Sequence, residues 1–245
     1  MARDDSYPKL ISLAVHELRT PTSVVGGYLR MLQRDGESPL SDRQRKMVDE
    51  AEKSCSKLVA LLAALSEVGK LDDGQLTMSS QPLDLFELVA EVAEGVHEAA
   101  EREVRLELGG QGAGALVTGD EGRLRAAFGA IFHAILREKV GPCTVMADRR
   151  LVTEHGRTSA VIVVAEEASG QAAYDSTPGP FDELRGGVGL SLPIARRVIE
   201  AHGGRIWSPA VTDGRGVPGA PVAPGAIDER MARSTALVSL PILAV

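Results

Sequence analysis

The strongest chemical signal in the sequence is the string HELRTP at residues 16–21. A histidine at its ordinary pKa is largely unprotonated and nucleophilic near pH 7, and a neighbouring carboxylate can orient its ring or accept its proton. Thr20 follows His16 by four residues, so the two side chains share a face if the segment is helical. The string therefore predicts a reactive histidine, His16, assisted by Glu17 and Thr20.

A second signal is the run RGGVGLSLPI at residues 185–194, which leads into a helical pattern ending at His202-Gly203-Gly204. Glycines before a helix N-terminus allow backbone N–H groups to approach a phosphate, and the helix dipole favours the anion. A glycine turn that closes a strand-to-helix junction has the same local sequence. Taken alone, the run leaves both interpretations open.

The histidine lies in a segment with helical periodicity. Between Leu10 and Leu32 the apolar residues recur at intervals of three and four, which is typical of an amphipathic helix. Pro21 should kink this helix. The pattern breaks at residues 35–39, and Ser41 is the expected N-cap of a second helix.

The second helix carries the seam of a coiled coil. Its spacing of four and three residues runs through Met47, Ala51, Ser54, Leu58, Leu61, Leu65 and Val68. Two long helices with a short turn form an antiparallel hairpin, and this apolar stripe is wider than one hairpin can cover. We expect two copies to form a homodimer with a four-helix bundle.

After the hairpin the pattern changes to shorter alternating elements, so we predict an α+β protein with domains at residues 1–75 and 76–245. In the second domain we predict helices over about 84–101, 120–138 and 189–202. We predict strands over 103–108, 205–208 and 235–241, and a hairpin over 143–165. Loops should span 167–187 and 209–226, and the whole should form a two-layer sandwich.

Composition narrows the classes of function. The net charge is −7 and no long basic run occurs, so nucleic acid is not an expected partner. Cys55 and Cys143 are far apart and lack metal-ligand spacing, which indicates reduced thiols and no metal held by side chains. The acidic N-terminus and the lack of apolar runs near 20 residues predict a cytoplasmic protein without a membrane span.

Taken together, the two signals resemble the phosphoacceptor box and the second glycine box of two-component sensor histidine kinases. Phe181 resembles their phenylalanine box, and the resemblance covers nearly the whole chain. It implies a dimerisation and phosphotransfer hairpin followed by an ATP-binding sandwich of the gyrase and Hsp90 type. It also implies the cofactors ATP and Mg²⁺, phosphorylation of His16, and transfer to an aspartate of a response-regulator receiver domain.

The resemblance assigns cofactor-binding positions in two groups. Glu166 and Gly170 fall at the adenine end, where Glu166 replaces the family's aspartate and Ala168 its first glycine. The phosphate end falls on Gly187, Gly189 and Ser191, the serine replacing a third glycine. A solvated acidic strand end is the alternative interpretation of Glu166.

The position at which the family holds Mg²⁺ differs more strongly from the family pattern. Where the family has an asparagine on a helix, and another one turn earlier, this chain has Ala134 and Ala130, which carry no ligand atom. His133 is adjacent, but about 100° round the helix, and Mg²⁺ prefers oxygen ligands to imidazole. Arg137 occupies the place of the usual basic residue.

Three hypotheses follow from this pattern. The chain is an ATP-dependent histidine autokinase with an eroded pocket, or a degenerate kinase that keeps His16 as a phosphotransfer relay or phosphatase. The third is a non-enzymatic dimeric docking scaffold. Glu17 and Thr20 discriminate the second from the third, because a scaffold needs neither a base nor a water-positioning hydroxyl beside the histidine.

Overall fold

The computed structural model describes residues 6–36, 39–97, 100–212 and 227–243. The chain divides into two compact units, Met1–Leu76 and Thr77–Val245. The first unit is helical and the second combines a six-stranded sheet with helices, so the predicted α+β class is confirmed. Within the described ranges no helix is both long and apolar enough to cross a bilayer.

The first unit is the predicted helical hairpin. Helix α1 spans Ser6–Arg34 and continues through Pro21, and helix α2 spans Asp42–Asp72. Ser41 is the N-cap of α2, as predicted: its hydroxyl accepts the Gln44 N–H, and the Gln44 side chain accepts the Ser41 N–H at 3.0 Å. This reciprocal capping box fixes the start of the second helix.

Small residues bring the two helices close together. A Cβ on Gly26 would lie 3.1 Å from Cys55 Sγ, and one on Gly69 would lie 3.3 Å from Ile11 Cγ2. The thiol of Cys55 donates to the Thr22 carbonyl at 3.3 Å. Between these contacts lies a small apolar core: Ile11, Val15 and Leu62, with Leu65 packed against them.

The hairpin leaves a broad apolar stripe exposed. Projected at about 100° per residue, the exposed apolar residues of both helices centre on the same side of the antiparallel pair. Of the predicted seam, Met47, Leu58 and Leu61 are at least half exposed, whereas Leu65 packs inside the hairpin and Val68 is buried. On α1 the large exposed apolar residues are Tyr7, Leu10, Leu13, Leu18, Val24, Val25, Tyr28, Met31 and Leu32.

The second unit is built on a mixed sheet with the strand order β2-β4-β5-β8-β7-β6. Its strands are β2 (Val104–Gly110), β4 (Cys143–Glu154), β5 (Arg157–Glu166), β6 (Pro178–Gly179), β7 (Arg205–Pro209) and β8 (Ala236–Pro241). The β2–β4 pair is parallel and the other pairs are antiparallel. A separate antiparallel pair joins β1 (Gln81–Asp84) to β3 (Leu116–Gly119).

Helices cover both faces of this sheet unequally. Helix α3 (Leu85–Glu94), α4 (Glu121–Arg137) and α6 (Ser191–Ala201) form one layer, with fully buried residues such as Phe128 and Ile162 between α4 and the sheet. On the other face, Val161, Val163 and Ala165 alternate with the first set and pack against Ala173 of the short helix α5 (Gly170–Asp175). Helix α7 (Glu229–Arg233) precedes β8.

Several predicted elements need correction. Helix α3 ends at Glu94 with Gly95 as its C-cap, well before residue 101. The β1–β3 pair was not predicted, because each strand has only four residues. Helix α5 lies inside the predicted 167–187 loop, where its single buried side chain, Ala173, leaves almost no apolar periodicity. Of the predicted 209–226 loop, residues 213–226 lie outside the described residues.

The exposed stripe predicts self-association of the hairpin. We expect Leu58→Glu combined with Leu61→Glu to convert a dimer of twice the 25.9 kDa chain mass into a monomer in sedimentation velocity. Burial of each leucine contributes about 1.5–3 kcal/mol, and a buried charge would oppose pairing. Val59→Glu is the matched control, since Val59 is also half exposed but projects to the opposite side of the hairpin. A wild-type monomer at all concentrations would contradict the prediction.

Candidate functional site

His16 is displayed on the surface of α1. Its side chain is 78% exposed, and Nδ1 lies 3.4 Å from Oε1 of Glu17, whose side chain is 71% exposed. The carboxylate can accept a hydrogen bond from a proton on Nδ1, and the tautomer with that proton carries its lone pair on Nε2. The arrangement presents Nε2 to solvent as a nucleophile.

Hydroxyl groups flank the histidine along the same face of α1. Ser12 precedes His16 by four residues and Thr20 follows it by four, and both are exposed. Thr22 is used differently, since its hydroxyl donates to the Leu18 carbonyl at 2.7 Å, next to the Pro21 position that lacks an N–H. The structure thus places Thr20 beside His16, as predicted.

A groove of about 420 Å³ runs beside His16 between the two helices. Ser12 and His16 line it from α1, and Ser66 and Lys70 line it from α2. Lys9 lies at the end nearest the N-terminus of α1. The groove gives the histidine a partly enclosed surrounding on one side, with both polar and apolar groups in its lining.

The second unit contains the other predicted residues, and its central feature is the glycine turn (residues 185–189). Gly186 has a φ of 65°, and a Cβ there would lie 2.6 Å from Cα and 2.9 Å from Cβ of Ala134. Its N–H donates to Oε1 of Glu138 at 2.8 Å. The turn is therefore packed directly on α4 at the position where the resemblance places a magnesium-holding asparagine.

Arg185 anchors the glycine turn from the other side. It is 1% exposed, and its guanidinium lies 4.3 Å from the ring centroid of Phe181. Burial lowers its pKa to about 10, which still leaves it charged at neutral pH. Its donors reach the carbonyls of Asp182, Arg233 and Thr235 at 2.8 Å and the hydroxyl of Ser208 at 2.7 Å.

The predicted adenine end is also engaged within the chain. Oε2 of Glu166 lies 3.4 Å from Nζ of Lys139, which is almost fully buried and donates to Ser234 Oγ at 3.0 Å. Gly170 has an ordinary φ of −57° and begins α5, which packs on the opposite face of the sheet from Glu166. The structure does not bring Glu166 and Gly170 together on one face.

The phosphate end of the predicted site is more open. Gly187 and Gly189 have φ values of 59° and 64°, and a Cβ on either would meet no atom within 4 Å. Ser191 is exposed and is the first residue of α6, which has no side-chain cap. These three residues place backbone amides near a helix N-terminus, an arrangement that favours anions.

Known proteins are similar to this chain over the helical hairpin and over most of its length. Residues 9–74 match the His Kinase A (phospho-acceptor) domain, which includes His16 and both hairpin helices. The chain is 31% identical over 211 residues to the sensor protein CutS of Streptomyces coelicolor, covering 81% of this chain and 48% of CutS. It is 29% identical to the histidine-protein kinase BaeS of Escherichia coli, covering 78% of this chain and 41% of BaeS.

The chain belongs to the two-component sensor histidine kinase family. It spans less than half the length of these two curated relatives. Full-length histidine kinase ShkA in complex with AMPPNP superposes with a TM-score of 0.62 at 19% identity, covering 97% of this chain and 46% of ShkA. Histidine kinase ThkA in complex with response regulator protein TrrA gives 0.50 at 15% identity, over 96% and 61%. These likenesses confirm the fold.

In this member of the family the His-Gly-Gly end of α6 has a structural role. The Asp120 N–H donates to Nε2 of His202 at 2.9 Å, so Nδ1 of the ring donates to the Val198 carbonyl at 2.6 Å. Asp120 is the N-cap of α4, and hydrogen bonds from the Ser79 and Arg123 N–H groups lower its pKa. His202 therefore ties the end of α6 to the start of α4.

Sequence reasoning missed three residues that set the geometry of the second unit. Glu138 and Lys139 follow the last apolar turn of α4, and both point back into the unit, to Gly186 and Glu166 respectively. Arg185 is the first residue of the glycine run, but the sequence assigned no role to its side chain. The sequence signal that could have identified Glu138 and Lys139 is a charged pair directly after an apolar helix. No comparable signal marks Arg185. Among the described residues, no group of three or more His, Cys, Asp or Glu is arranged to hold a metal ion.

The packing of the glycine turn predicts a specific protease sensitivity. In Gly186→Ala the new Cβ collides with Ala134, so the turn should leave α4 and expose Arg185 to trypsin. Gly187→Ala shares the positive φ but meets open space, which makes it the matched control. We expect cleavage after Arg185 to be at least tenfold faster in Gly186→Ala than in Gly187→Ala, measured by mass spectrometry. Equal rates would contradict the proposed contact.

Proposed function

We propose that this chain is the histidine phosphotransfer core of a two-component system, in which His16 exchanges a phosphoryl group with a receiver-domain aspartate. In this proposal the ATPase-like unit has lost effective binding of Mg-ATP. The observation that carries it is the contrast between an exposed, oriented His16 and a glycine turn packed on Ala134. His16 keeps its chemistry while the nucleotide groups have been replaced.

The chemistry at His16 follows from its two ring nitrogens. The Nε2 lone pair attacks phosphorus, so an Nε2–P bond forms while the bond from phosphorus to the donor carboxylate oxygen breaks. The ring becomes positively charged, and the Nδ1 proton then passes to Glu17, whose Oε1 is 3.4 Å away. In the reverse direction Glu17 returns the proton, and the imidazole leaves.

Thr20 supports a second activity, removal of phosphate from the receiver. Its hydroxyl lies one helical turn from His16 on the same exposed face, where it can orient a water toward a docked acyl phosphate. Hydrolysis breaks the bond from phosphorus to the aspartate oxygen and forms a bond to the water oxygen. Thr20 is therefore the residue that separates a phosphatase from a simple scaffold.

The side chains of the second unit do not fit a magnesium–nucleotide complex. Ala134 offers no oxygen and is fully buried beneath Gly186. Lys139 neutralises Glu166, the carboxylate that would accept hydrogen bonds from adenine. Phosphoryl transfer from ATP depends on charge neutralisation by the metal, so these replacements remove the contribution that matters most.

An ATP-dependent autokinase is the second candidate. The open backbone at Gly187 and Gly189 ahead of α6 favours it, as does the fold shared with a kinase that binds AMPPNP. In that case bound ATP and Mg²⁺ would supply the phosphoryl group for His16. The glycine turn would have to leave Ala134 before a nucleotide could enter.

The partners follow from the same features. The exposed apolar stripe supports a homodimer, and the opposite side, which carries His16, stays accessible in such a dimer. A related fold is that of ThkA, described in complex with the response regulator TrrA. We propose a receiver domain of this class as the partner of His16.

The first test of the proposal uses a receiver domain that has been phosphorylated with phosphoramidate and then separated from the reagent, because phosphoramidate can also phosphorylate histidine directly. We expect label to appear on His16 and to vanish in His16→Ala, because no other residue offers an oriented imidazole on α1. Thr20→Ala should keep or raise phosphohistidine while slowing receiver dephosphorylation by up to about 100-fold, the loss expected when an attacking water is misplaced. Thr22→Ala is the control, since that hydroxyl is bonded to the backbone. Label that survives His16→Ala would overturn the assignment.

The second test concerns Mg-ATP. Trp207 is the only tryptophan and lies in the second unit, so its fluorescence follows the unfolding of that unit. A ligand at one hundred times its Kd stabilises a fold by about 2.7 kcal/mol. We expect little or no shift in Tm with millimolar Mg-ATP, and a larger shift after Ala134→Asn, Glu166→Asp and Ala168→Gly together. A large shift in the wild type would support the autokinase instead.

A further inference from the structure

The groove beside His16 has an unusual charge for this acidic protein. Two lysines, Lys9 and Lys70, line it, and its one acidic lining residue is Asp73. The chain as a whole has a net charge of −7. The groove lining thus carries one more positive than negative charge, with Glu17 on the other side of His16, although the protein repels anions overall.

The two ammonium groups are not committed elsewhere. Across residues 6–36, 39–97, 100–212 and 227–243, neither Lys9 nor Lys70 forms an ion pair or a side-chain hydrogen bond, and both are exposed. The carboxylate of Asp73, by contrast, accepts a hydrogen bond from the Gln75 side chain. Ser12 and Ser66 also make no side-chain hydrogen bond in these ranges, so their hydroxyls can donate to a ligand.

The floor of the groove explains its shape. Gly69 lies against α1, where a Cβ would be 3.3 Å from Ile11 Cγ2 and 3.8 Å from the Pro8 carbonyl oxygen. This close approach leaves the longer side chains of Lys70 and His16 to form the walls. The resulting volume of about 420 Å³ is far larger than one phosphoryl group needs.

The groove is also on the accessible side of the hairpin. At about 100° per residue, His16 projects roughly 130° from the centre of the exposed apolar stripe of α1. Ser66 and Lys70 project to the same side of α2 as the groove. A dimer formed through the apolar stripe therefore leaves the groove open to solvent and to a phosphoryl donor.

We infer that this groove is a phosphoryl-binding subsite, in which Lys70, assisted by Lys9, holds the anionic oxygens of the group entering or leaving Nε2 of His16. The inference rests on the proposed function of His16 and identifies the residues that attract its substrate. Ser12 and Ser66 donate hydrogen bonds to the same oxygens. A lysine suits this role because its ammonium acts as a mobile point charge with three donors.

The electrostatics give the expected size of the effect. Opposite unit charges about 4 Å apart attract by about 1 kcal/mol in bulk water and more near a protein surface. Loss of one such contact should slow transfer about three- to tenfold, and the lost part should be sensitive to salt. A purely structural lysine would show no such salt dependence.

Phosphoramidate tests the subsite without any protein partner. It phosphorylates histidine directly: the Nε2–P bond forms, the P–N bond of the reagent breaks, and ammonia leaves. We expect the 245-residue Lys70→Met variant to be labelled on His16 about three- to tenfold more slowly than wild type at low salt, as measured by phosphate-affinity electrophoresis. The difference should shrink at high salt, and Lys70→Arg should restore most of the rate.

The control variants distinguish a failure of the subsite from a failure of the proposed function of His16. Lys57→Met removes the same charge from α2 about three and a half turns away from Lys70 and should leave labelling unchanged. Equal rates in wild type and in Lys70→Met, or an equal loss in Lys57→Met, would overturn the subsite while leaving the proposed function intact. No labelling of His16 in the wild type would instead count against the proposed function itself.

Discussion

The contact between Gly186 and Ala134 is the constraint on which the second unit depends. A glycine with a φ of 65° sits against the backbone of α4, and only a residue without a Cβ fits there. The reciprocal constraint falls on Ala134, since a larger side chain would displace the turn. Arg185 then closes the arrangement through four short hydrogen bonds to neighbouring loops and strands. Under the proposed function, the same residue, Ala134, accounts for two features: it supplies no oxygen ligand for magnesium, and it allows the glycine turn to pack on α4.

The helical unit separates its apolar surface from its reactive histidine. Its internal core is small, so most of the apolar surface of α1 and α2 faces outward on one side. The opposite side carries the polar groove with His16, Glu17 close to Nδ1, and Lys70 on the facing helix. Dimerisation and phosphoryl chemistry thus use opposite sides of one hairpin, and neither obstructs the other.

The fold was largely predictable because its periodic signals are long. Helices of 29 and 31 residues provide many repeats, and the β4–β5 hairpin is dense in β-branched residues. Short elements were missed, since the four residues of β1 or the six of α5 carry too little pattern. The local motif also predicted His16, Glu17 and Thr20 as neighbours. The roles of Lys70 and Arg185 could not be predicted, because they arise from contacts between segments that are far apart in sequence.

The most direct test of this account is incubation of the full chain with γ-labelled Mg-ATP, with phosphoramidate as a parallel donor. Both reactions are followed as acid-labile, base-stable label in wild type and in His16→Ala. We expect label on His16 from phosphoramidate and none above background from ATP. Rapid, His16-dependent labelling from ATP would contradict it, because a closed glycine turn and a missing magnesium ligand could not support that reaction.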